Sequence, residues 1–477
     1  MQKSRGYVET STLAQTFRET DKLWQMSKDL NFKGDDYEWL LTIVRASIPN
    51  PNPTRHPTNT KPTQFYISYI IFSFLTFCWK IFPPHRWAAF VVFGWGLVAT
   101  VQSGTQNWSG MMACRFFLGL FEQGFGPGVP YLFSFFYLRH EIGLRSGVYL
   151  AMAPLATCFS GALAYGITSG HSALASWRLL FLVEGAPVIA LAPVVYFFLP
   201  DTPKQARFFT EEDKRIVIAR TMRQTSEPER SHVFDWRESA ATFLDPKAWL
   251  TALMFFSCNV SFASLPVFLP TILEEMGFTG VNAQGLSAPP YFISFLVTVA
   301  TAWFADRTQQ RGFTIMVMSA IGGAGYIMLA AASSVGVRYA GCYLAAAGIF
   351  PAIANILPWV SNNQGNDSRR GAGFVMLMLI GQCGPLLGTR IYPSGDGPQF
   401  VMGHGICAGF LFFTTLLAGA LRLYLGWQNR KLDRRYGTLE VQRARAVSAA
   451  ATAGDGDYKA EIELGLESDG PMYRYVL

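Results

Sequence analysis

Two ionisable residues, Arg115 and Glu122, lie inside one apolar stretch of membrane length. The stretch, residues 111–137, reads MMACRFFLGLFEQGFGPGVPYLFSFFY. One ionised side chain at mid-membrane costs about 3 kcal/mol on insertion scales and more in simulations. The two residues are seven positions apart, near two helical turns, and so share a face. A carboxylate and a guanidinium placed this way indicate a path for protons or anions through a bilayer.

Glu122 has the chemistry of a proton carrier. Desolvation penalises the charged form of a carboxyl group, so such a group inside a span can take up a proton on one side and release it on the other. The alternative is a structural glutamate that bonds to a neighbouring helix. Arg115 stays charged and offers a fork of donors suited to carboxylates. It either attracts an anionic substrate or anchors two helices.

A few other polar residues fall within apolar runs and are candidates for substrate binding. They are Asn259, Asn355, Gln382 and His404. Each could instead make an interhelical hydrogen bond, worth about 0.6 kcal/mol on average. Arg178 and Glu184 are expected to form a structural ion pair. No catalytic constellation, Walker loop or metal-ligand spacing is visible, so we expect a protein that is not an enzyme and has no cofactor or metal.

The composition is that of a polytopic membrane protein. Of 477 residues, 50% are hydrophobic and 15% are charged, whereas soluble domains carry about 25% charged residues. The net charge of +7 comes from basic residues between apolar runs, which argues against a nucleic-acid partner. The seven cysteines show no CxxC spacing, so no disulfide framework is predicted. The expected partners are the lipid bilayer, a small-molecule substrate and protons.

The hydropathy pattern predicts an all-α membrane protein with about eleven spans. The candidate spans are residues 65–79, 86–104, 111–137, 145–167, 179–200, 248–272, 285–305, 313–333, 338–360, 372–391 and 400–426. They divide into a bundle of five spans (63–200), a polar linker (201–247) and a bundle of six spans (248–426). A polar region (1–62) precedes them. A tail (427–477) follows, predicted to be disordered beyond about residue 440.

Basic residues predict the orientation, because loops rich in Lys and Arg stay in the cytoplasm. Alternate connections, the linker and the tail carry most of them. These include Lys80, Arg86, Arg139, Arg145, Arg307, Arg311, Arg369, Arg370, Arg430 and Lys431. The linker and the tail are therefore expected in the cytoplasm, and the plasma membrane is the expected location.

Six motifs resemble those of the major facilitator superfamily, more specifically the fungal allantoate, nicotinate and pantothenate permease branch of the anion:cation symporter family. In order they are RFFLGLFEQGFGPG (115–128), YLRHEIGLRSG (137–147), SWRLLFLVEGAP (176–187), FFLPDTPKQARFFTEEDKR (197–215), FADRTQQRG (304–312) and WQNRKLDRRYG (427–437). The resemblance implies a two-bundle fold that transports a small organic anion together with protons and works as a monomer. It gives Glu122 the coupling proton and makes Asp306, Arg307 and Arg311 a conformational latch.

Family members have twelve helices, and the first is apparently missing from this sequence. The segment KDLNFKGDDYEWLLTI (28–43) resembles the part that follows it, and residues 44–64 then interrupt the family pattern with five prolines. We hypothesise that this insert derives from a retained intron. The alternatives to nutrient uptake are efflux of a secondary metabolite by the same fold, a transport-inactive nutrient sensor, and a membrane-bound enzyme.

Overall fold

In the part of the chain that the computed structural model describes, every regular element is a helix. The described residues are 63–137, 141–169, 173–202, 205–207, 209–217, 236–278, 280–364, 367–392, 399–442, 444 and 473–477. The predicted polar region 1–62, nearly all of the 44–64 insert and residues 445–472 of the tail lie outside them.

The helices described before the linker form the first bundle. They are α1 (Thr63–Ile71), α2 (Cys78–Ile81), α3 (Pro84–Gln102), α4 (Trp108–Phe125), α5 (Gly128–Phe136), α6 (Ile142–Ser169) and α7 (Ser176–Phe198). A 3₁₀ segment, Phe72–Phe77, joins α1 to α2.

The remaining described helices lie in the linker and the second bundle. They are α8 (Trp236–Thr242), α9 (Pro246–Glu275), α10 (Gly280–Thr308), α11 (Arg311–Ala331), α12 (Val335–Asn363), α13 (Asp367–Gly381), α14 (Cys383–Gly388) and α15 (Val401–Tyr436).

These helices form eight spans that are long and apolar enough to cross a membrane, namely α6, α7, α9 to α12, the α13–α14 pair and α15. Each predicted span overlaps a helix, and three of the predicted spans are interrupted. The span at 65–79 is divided by the 3₁₀ segment, the one at 111–137 breaks at Gly126–Pro127, and the one at 372–391 breaks at Gln382. A proline follows within three residues of each of the last two breaks, and proline cannot donate a backbone hydrogen bond.

Glycines let helices within each bundle approach closely. A Cβ at Gly96 of α3 would meet the backbone nitrogen of Ile189 in α7 at 2.7 Å. In the second bundle, a Cβ at Gly348 of α12 would collide with the backbone of Gly322 in α11. Such approach is typical of membrane helices, which gain stability from van der Waals packing more than from exclusion of water.

The two bundles meet mainly where α6 packs along α10 and α12. A Cβ at Gly147 of α6 would collide with Ala302 of α10. We call the end of the molecule where α7 ends and α9 begins the linker side. There, the Lys80 ammonium donates to the Ser368 hydroxyl at 3.0 Å, and the rings of Tyr131 and Phe374 lie 6.2 Å apart. These contacts join the bundles at the linker side.

Side chains from neighbouring helices satisfy carbonyl groups that prolines leave free. In α10, Pro290 has no N–H with which to bond the carbonyl of Leu286 four residues earlier. The Tyr339 hydroxyl of α12 donates to that carbonyl at 2.9 Å. An unsatisfied carbonyl inside a membrane costs several kcal/mol, so Tyr339 stabilises both the kinked helix and its contact with α12.

Candidate functional site

Helix α4 carries both Arg115 and Glu122, as the sequence predicts. Seven residues at 1.5 Å per residue separate them by about 10 Å along the helix axis. The Arg115 side chain is buried, at 6% exposure, and Glu122 is half-buried. The two charges interact electrostatically along the helix.

The guanidinium of Arg115 lies close to two carboxylates. It interacts most strongly with Glu184 of α7 and then with Glu122, and its Cζ atom is 5.4 Å from the centre of the Phe181 ring. Its Nε and Nη2 atoms are buried and have no hydrogen-bond partner. Arg115 therefore contacts a neighbouring helix, as an anchor would, and also keeps donor groups that a ligand could use.

The predicted ion pair between Arg178 and Glu184 was wrong. Arg178 instead donates to the carbonyl oxygens of Ser103 and Thr105, at 3.2 and 3.1 Å. These residues end α3 and begin the connection to α4, so the guanidinium binds a carboxyl end of a helix, where cations are favoured. Glu184, one helical turn and a half further on, is left to interact with Arg115.

One turn beyond Glu122 the helix is interrupted at Gly126–Pro127, and a tyrosine of another helix bonds to the backbone there. Pro130 has no N–H for the carbonyl of Gly126, and the Tyr149 hydroxyl of α6 donates to that carbonyl at 3.2 Å. Tyr149 also interacts electrostatically with Glu122. The hydroxyl of Tyr149 thus connects α6 to the backbone one turn beyond Glu122. Sequence reasoning did not select Tyr149, although the proline four residues after Gly126 was a signal that a donor was needed.

Two tryptophan indoles also bond to the backbone next to this interruption. The Nε1 atoms of Trp79 and Trp87 both donate to the carbonyl of Gly124, at 2.7 and 3.3 Å. A Cβ at Gly128 would collide with the Trp79 indole, so glycine is required there.

Gln123, the neighbour of Glu122, is a second polar residue that sequence reasoning missed. Its side chain is fully buried, and neither its Nε2 nor its Oε1 atom has a hydrogen-bond partner. Leaving a buried amide unpaired costs about 1–3 kcal/mol per group. Such a cost is typical of a position that binds a ligand or water.

Asn259 and Gln382 have structural contacts at the break in the α13–α14 span. Pro385 cannot donate to the carbonyl of Gly381, and the Asn259 Nδ2 atom of α9 donates to it at 3.2 Å. Gln382 forms the N-cap of α14, and its Nε2 atom lies 3.8 Å from the Met378 sulfur. The Asn259 contact is the interhelical hydrogen bond that the sequence analysis gave as the alternative, whereas the Gln382 contact lies within one span.

Asn355 and His404 are fully buried in the second bundle. The Asn355 Nδ2 atom donates to Pro351 of its own helix at 2.9 Å, and its Oδ1 atom has no partner. The His404 Nδ1 atom bonds to the Tyr392 hydroxyl at 3.0 Å, while Nε2 has none. Each residue thus keeps one polar atom for a further contact.

Asp306 joins the bundles at the linker side. One carboxylate oxygen accepts from the Arg311 guanidinium and the other from the backbone N–H of Leu144, in the first turn of α6. Arg311 is fully buried. Arg307, also predicted to belong to the latch, instead lies over the Trp303 ring at 5.8 Å. The contact between bundles is therefore made by Asp306, Arg311 and a helix N-terminus, where an anion is favoured.

The fold and this site define a multi-pass integral membrane protein built from two helical bundles. Among the described residues, no group of three His, Cys, Asp or Glu side chains could hold a metal ion. The family model described as Major Facilitator Superfamily matches residues 23–389. The chain therefore belongs to the Major Facilitator Superfamily, and its all-helical fold is the one predicted from the sequence.

Similar proteins include fungal members of the superfamily. The chain is 33% identical over 414 residues to the MFS transporter prlL of a fungal species (strain NRRL 50135), covering 84% of this chain and 83% of that protein. It is 31% identical over 409 residues to the MFS-type transporter cnsO of Penicillium expansum, covering 83% of this chain and 76% of that one.

Solved structures agree on the fold. The structure of the proton:xylose symporter XylE bound to a bromo-deoxyglucose matches 89% of this chain and 96% of its own, with a TM-score of 0.58 and 13% identity. That of the transporter FucP in the outward conformation matches 81% and 96%, with a TM-score of 0.57 and 13% identity. At this identity the likeness concerns the fold alone.

Proposed function

We propose that this chain is a secondary active transporter of a small organic anion, a carboxylate or ureide-like nutrient, which it moves together with protons by alternating access. The supporting observation is the pair on α4. Arg115, with two buried donor atoms that have no partner, and the half-buried Glu122 lie seven residues apart on this helix, about 10 Å along its axis. The motifs resemble those of the anion:cation symporter branch, and the superfamily membership agrees with a transport function.

In this proposal the anion binds to the free donors of Arg115, because a guanidinium offers two parallel hydrogen bonds to a carboxylate. Glu122 carries the coupling proton. Its side chain is half-buried and interacts electrostatically with Tyr149. The remaining polar atoms of Gln123, Asn355 and His404 are candidates for further contacts with the substrate.

Alternating access requires the linker-side contacts to break. The contacts of Asp306 with Arg311 and with the first turn of α6 would hold one conformation. We propose that the linker side faces the cytoplasm, on the evidence of its basic loops, that the protein acts in the plasma membrane and that it works as a monomer.

Transport by proteoliposomes tests the proposal. Purified protein would be assayed for accumulation of labelled nicotinate, pantothenate and allantoate under an inward proton gradient, and for exchange without a gradient. We expect Glu122→Gln to abolish accumulation and to retain exchange. Glu184→Gln is the comparison, because it removes the other carboxylate that interacts with Arg115 and should leave the dependence on the proton gradient intact.

Two results would contradict the proposal. Accumulation by Glu122→Gln with an unchanged dependence on the proton gradient would reject Glu122 as the proton carrier. If the unmodified protein transports none of these carboxylates and does not respond to the proton gradient, the proposal of an anion symporter is wrong. Loading the vesicles with substrate and reversing the gradient would distinguish export from uptake.

A further inference from the structure

The segment Tyr473–Leu477 makes specific contacts with the second bundle, although the sequence analysis predicted disorder beyond about residue 440. Tyr473 is 2% exposed. The segment lies against the linker-side ends of four helices, α9, α11, α12 and α15, which it contacts through hydrogen bonds to Lys247, Gly312, Asn363 and Asn429. The prediction of disorder was therefore wrong for these five residues.

Two asparagines bind the backbone of the segment, and each of them binds the N–H and the carbonyl of a single residue. Asn429 of α15 accepts from the N–H of Tyr475 at 2.8 Å and donates to the carbonyl of the same residue at 2.9 Å. Asn363 of α12 does the same for Val476, at 2.9 and 3.1 Å. An amide side chain offers both a donor and an acceptor, so each asparagine pairs with a peptide unit as a neighbouring strand would.

The adjoining groups complete the binding of the backbone. The Trp359 indole donates to the carbonyl of Val476 at 2.8 Å, and the N–H of Gly312 donates to the carbonyl of Leu477 at 3.2 Å. A Cβ at Gly312 would lie 2.9 Å from the Trp359 ring. Glycine at this position therefore lets α11 and α12 approach while its N–H is used by the segment.

Side chains supply selectivity for the segment. The Arg474 Nε atom donates to the Asp433 carboxylate at 2.7 Å, and its Nη2 atom donates to the carbonyl of Gly437 at 2.7 Å. The Lys247 ammonium lies 4.4 Å from the centre of the Tyr475 ring and donates to its hydroxyl at 3.3 Å. A cation at the second position and an aromatic ring at the third are thus both recognised.

We propose that the linker-side ends of α9, α11, α12 and α15 form a peptide-binding site, and that its occupant is residues 473–477 of the same chain. Occupancy ties the end of α12 to α15 and α11. Helix α12 contains Pro351 and Pro358, and such prolines allow a helix to bend. The bound segment restrains that bending.

The restraint acts beside the contact between bundles. The N–H of Gly312, which binds Leu477, follows directly after Arg311, which bonds to Asp306. Release of the segment would free the first turn of α11 and the last turn of α12 together. The segment therefore acts as a strap that favours the closed arrangement of the linker side. This inference concerns conformation and does not depend on which substrate is transported.

Hydrogen exchange of the detergent-solubilised protein tests the site. We expect the peptide that covers residues 473–477 to exchange at least about tenfold more slowly than an unstructured chain, since each amide bonded to an asparagine must first lose that bond. Asn429→Ala or Asn363→Ala should accelerate exchange by on the order of tenfold, because each removes two hydrogen bonds. Gln428→Ala is the matched control, because its amide bonds to Tyr424 in its own helix.

Three results would overturn the proposal. One is exchange of the unmodified segment at the rate of an unstructured chain, and another is equal acceleration by Gln428→Ala and Asn429→Ala. The third is protection that falls as the protein is diluted, since this would place the segment in the site of a neighbouring copy.

A deletion keeps the proposal testable if the alanine variants fail to fold. Deleting residues 473–477 should lower the melting temperature, and adding the synthetic peptide Tyr-Arg-Tyr-Val-Leu should restore it. A peptide carrying Arg474→Ala should restore it less, because it cannot bond to Asp433. An unchanged melting temperature after the deletion, or equal restoration by both peptides, would refute recognition of this sequence.

Discussion

A double-mutant cycle on Asn259 and Pro385 would show what Asn259 does. In the structure, the Asn259 amide donates to the carbonyl of Gly381 at 3.2 Å, and Pro385 is the residue whose N–H would otherwise bond to it. Asn259→Ala leaves this carbonyl unsatisfied inside the membrane. Pro385→Ala supplies an N–H four residues after Gly381, and that group can take the place of the asparagine.

The magnitude follows from the cost of one hydrogen bond. Removing it leaves a buried carbonyl unsatisfied, which costs about 1–3 kcal/mol in soluble proteins. Interhelical hydrogen bonds in membranes contribute less, about 0.6 kcal/mol on average and about 1.7 kcal/mol at most. We expect Asn259→Ala to destabilise the original chain by about 1 kcal/mol. In the Pro385→Ala background the loss should be smaller by most of that amount, so the coupling energy should be between about 0.6 and 1 kcal/mol.

Reversible unfolding in mixed detergent and lipid micelles would measure the four free energies. Asn355→Ala is the matched control, because the Asn355 amide bonds to Pro351 of its own helix and has no tie to Pro385. Its effect should be the same in both backgrounds. Additive effects of Asn259→Ala and Pro385→Ala, within about 0.3 kcal/mol, would refute the carbonyl explanation. If Asn259→Ala lowers substrate affinity and Pro385→Ala does not restore it, Asn259 contacts the substrate.

Four further changes have expected outcomes. Arg115→Gln should weaken binding of a carboxylate about ten- to hundredfold, the equivalent of losing charge-assisted hydrogen bonds; equal affinity in a binding assay would reject this role. Gln123→Leu should raise the unfolding free energy by about 1 kcal/mol or more by removing an unpaired amide, and should lower the transport rate; a less stable variant would contradict this. Asp306→Asn should increase labelling of thiols introduced at the linker side, whereas Arg307→Ala should not, and equal labelling would reject the latch. Gly348→Ala should cost about 1–3 kcal/mol by overpacking against Gly322, whereas Gly409→Ala, with open space around it, should cost little; equal melting temperatures would contradict the packing.

The sequence predicted the membrane fold and the location of the helices because both depend on local composition. A run of about 20 apolar residues spans a bilayer wherever it occurs. The breaks at Gly126–Pro127 and Gln382 were harder to predict from the sequence, because membrane helices tolerate proline when a neighbouring group satisfies the free carbonyl. Whether such a neighbour exists depends on residues distant in the sequence, such as Tyr149 for Gly126 and Asn259 for Gly381.

Contacts between bundles and with the tail depend even more on tertiary structure. The motif implied a conformational latch at Asp306, Arg307 and Arg311. In the structure the Asp306 carboxylate bonds to Arg311 and to the N-terminus of α6, 162 residues earlier. Residues 473–477 are recognised mainly through their backbone, by asparagines 113 and 46 residues away. Backbone recognition leaves little trace in composition, so a short segment in an acidic, glycine-rich tail was predicted to be disordered.

Whether a polar group inside a span has a hydrogen-bond partner indicates where a substrate would bind. Where proline frees a carbonyl, at Gly126, Leu286 and Gly381, a side chain from another helix donates to it. Around Glu122 the opposite holds, because the buried donors of Arg115 and the amide of Gln123 have no partner. Since lipid offers no hydrogen bonds, such groups are costly unless something polar reaches them. We propose that a polar substrate binds beside α4, because the guanidinium of Arg115 and the amide of Gln123 remain unpaired on the helix that carries Glu122, whereas single carbonyls in three other places are satisfied.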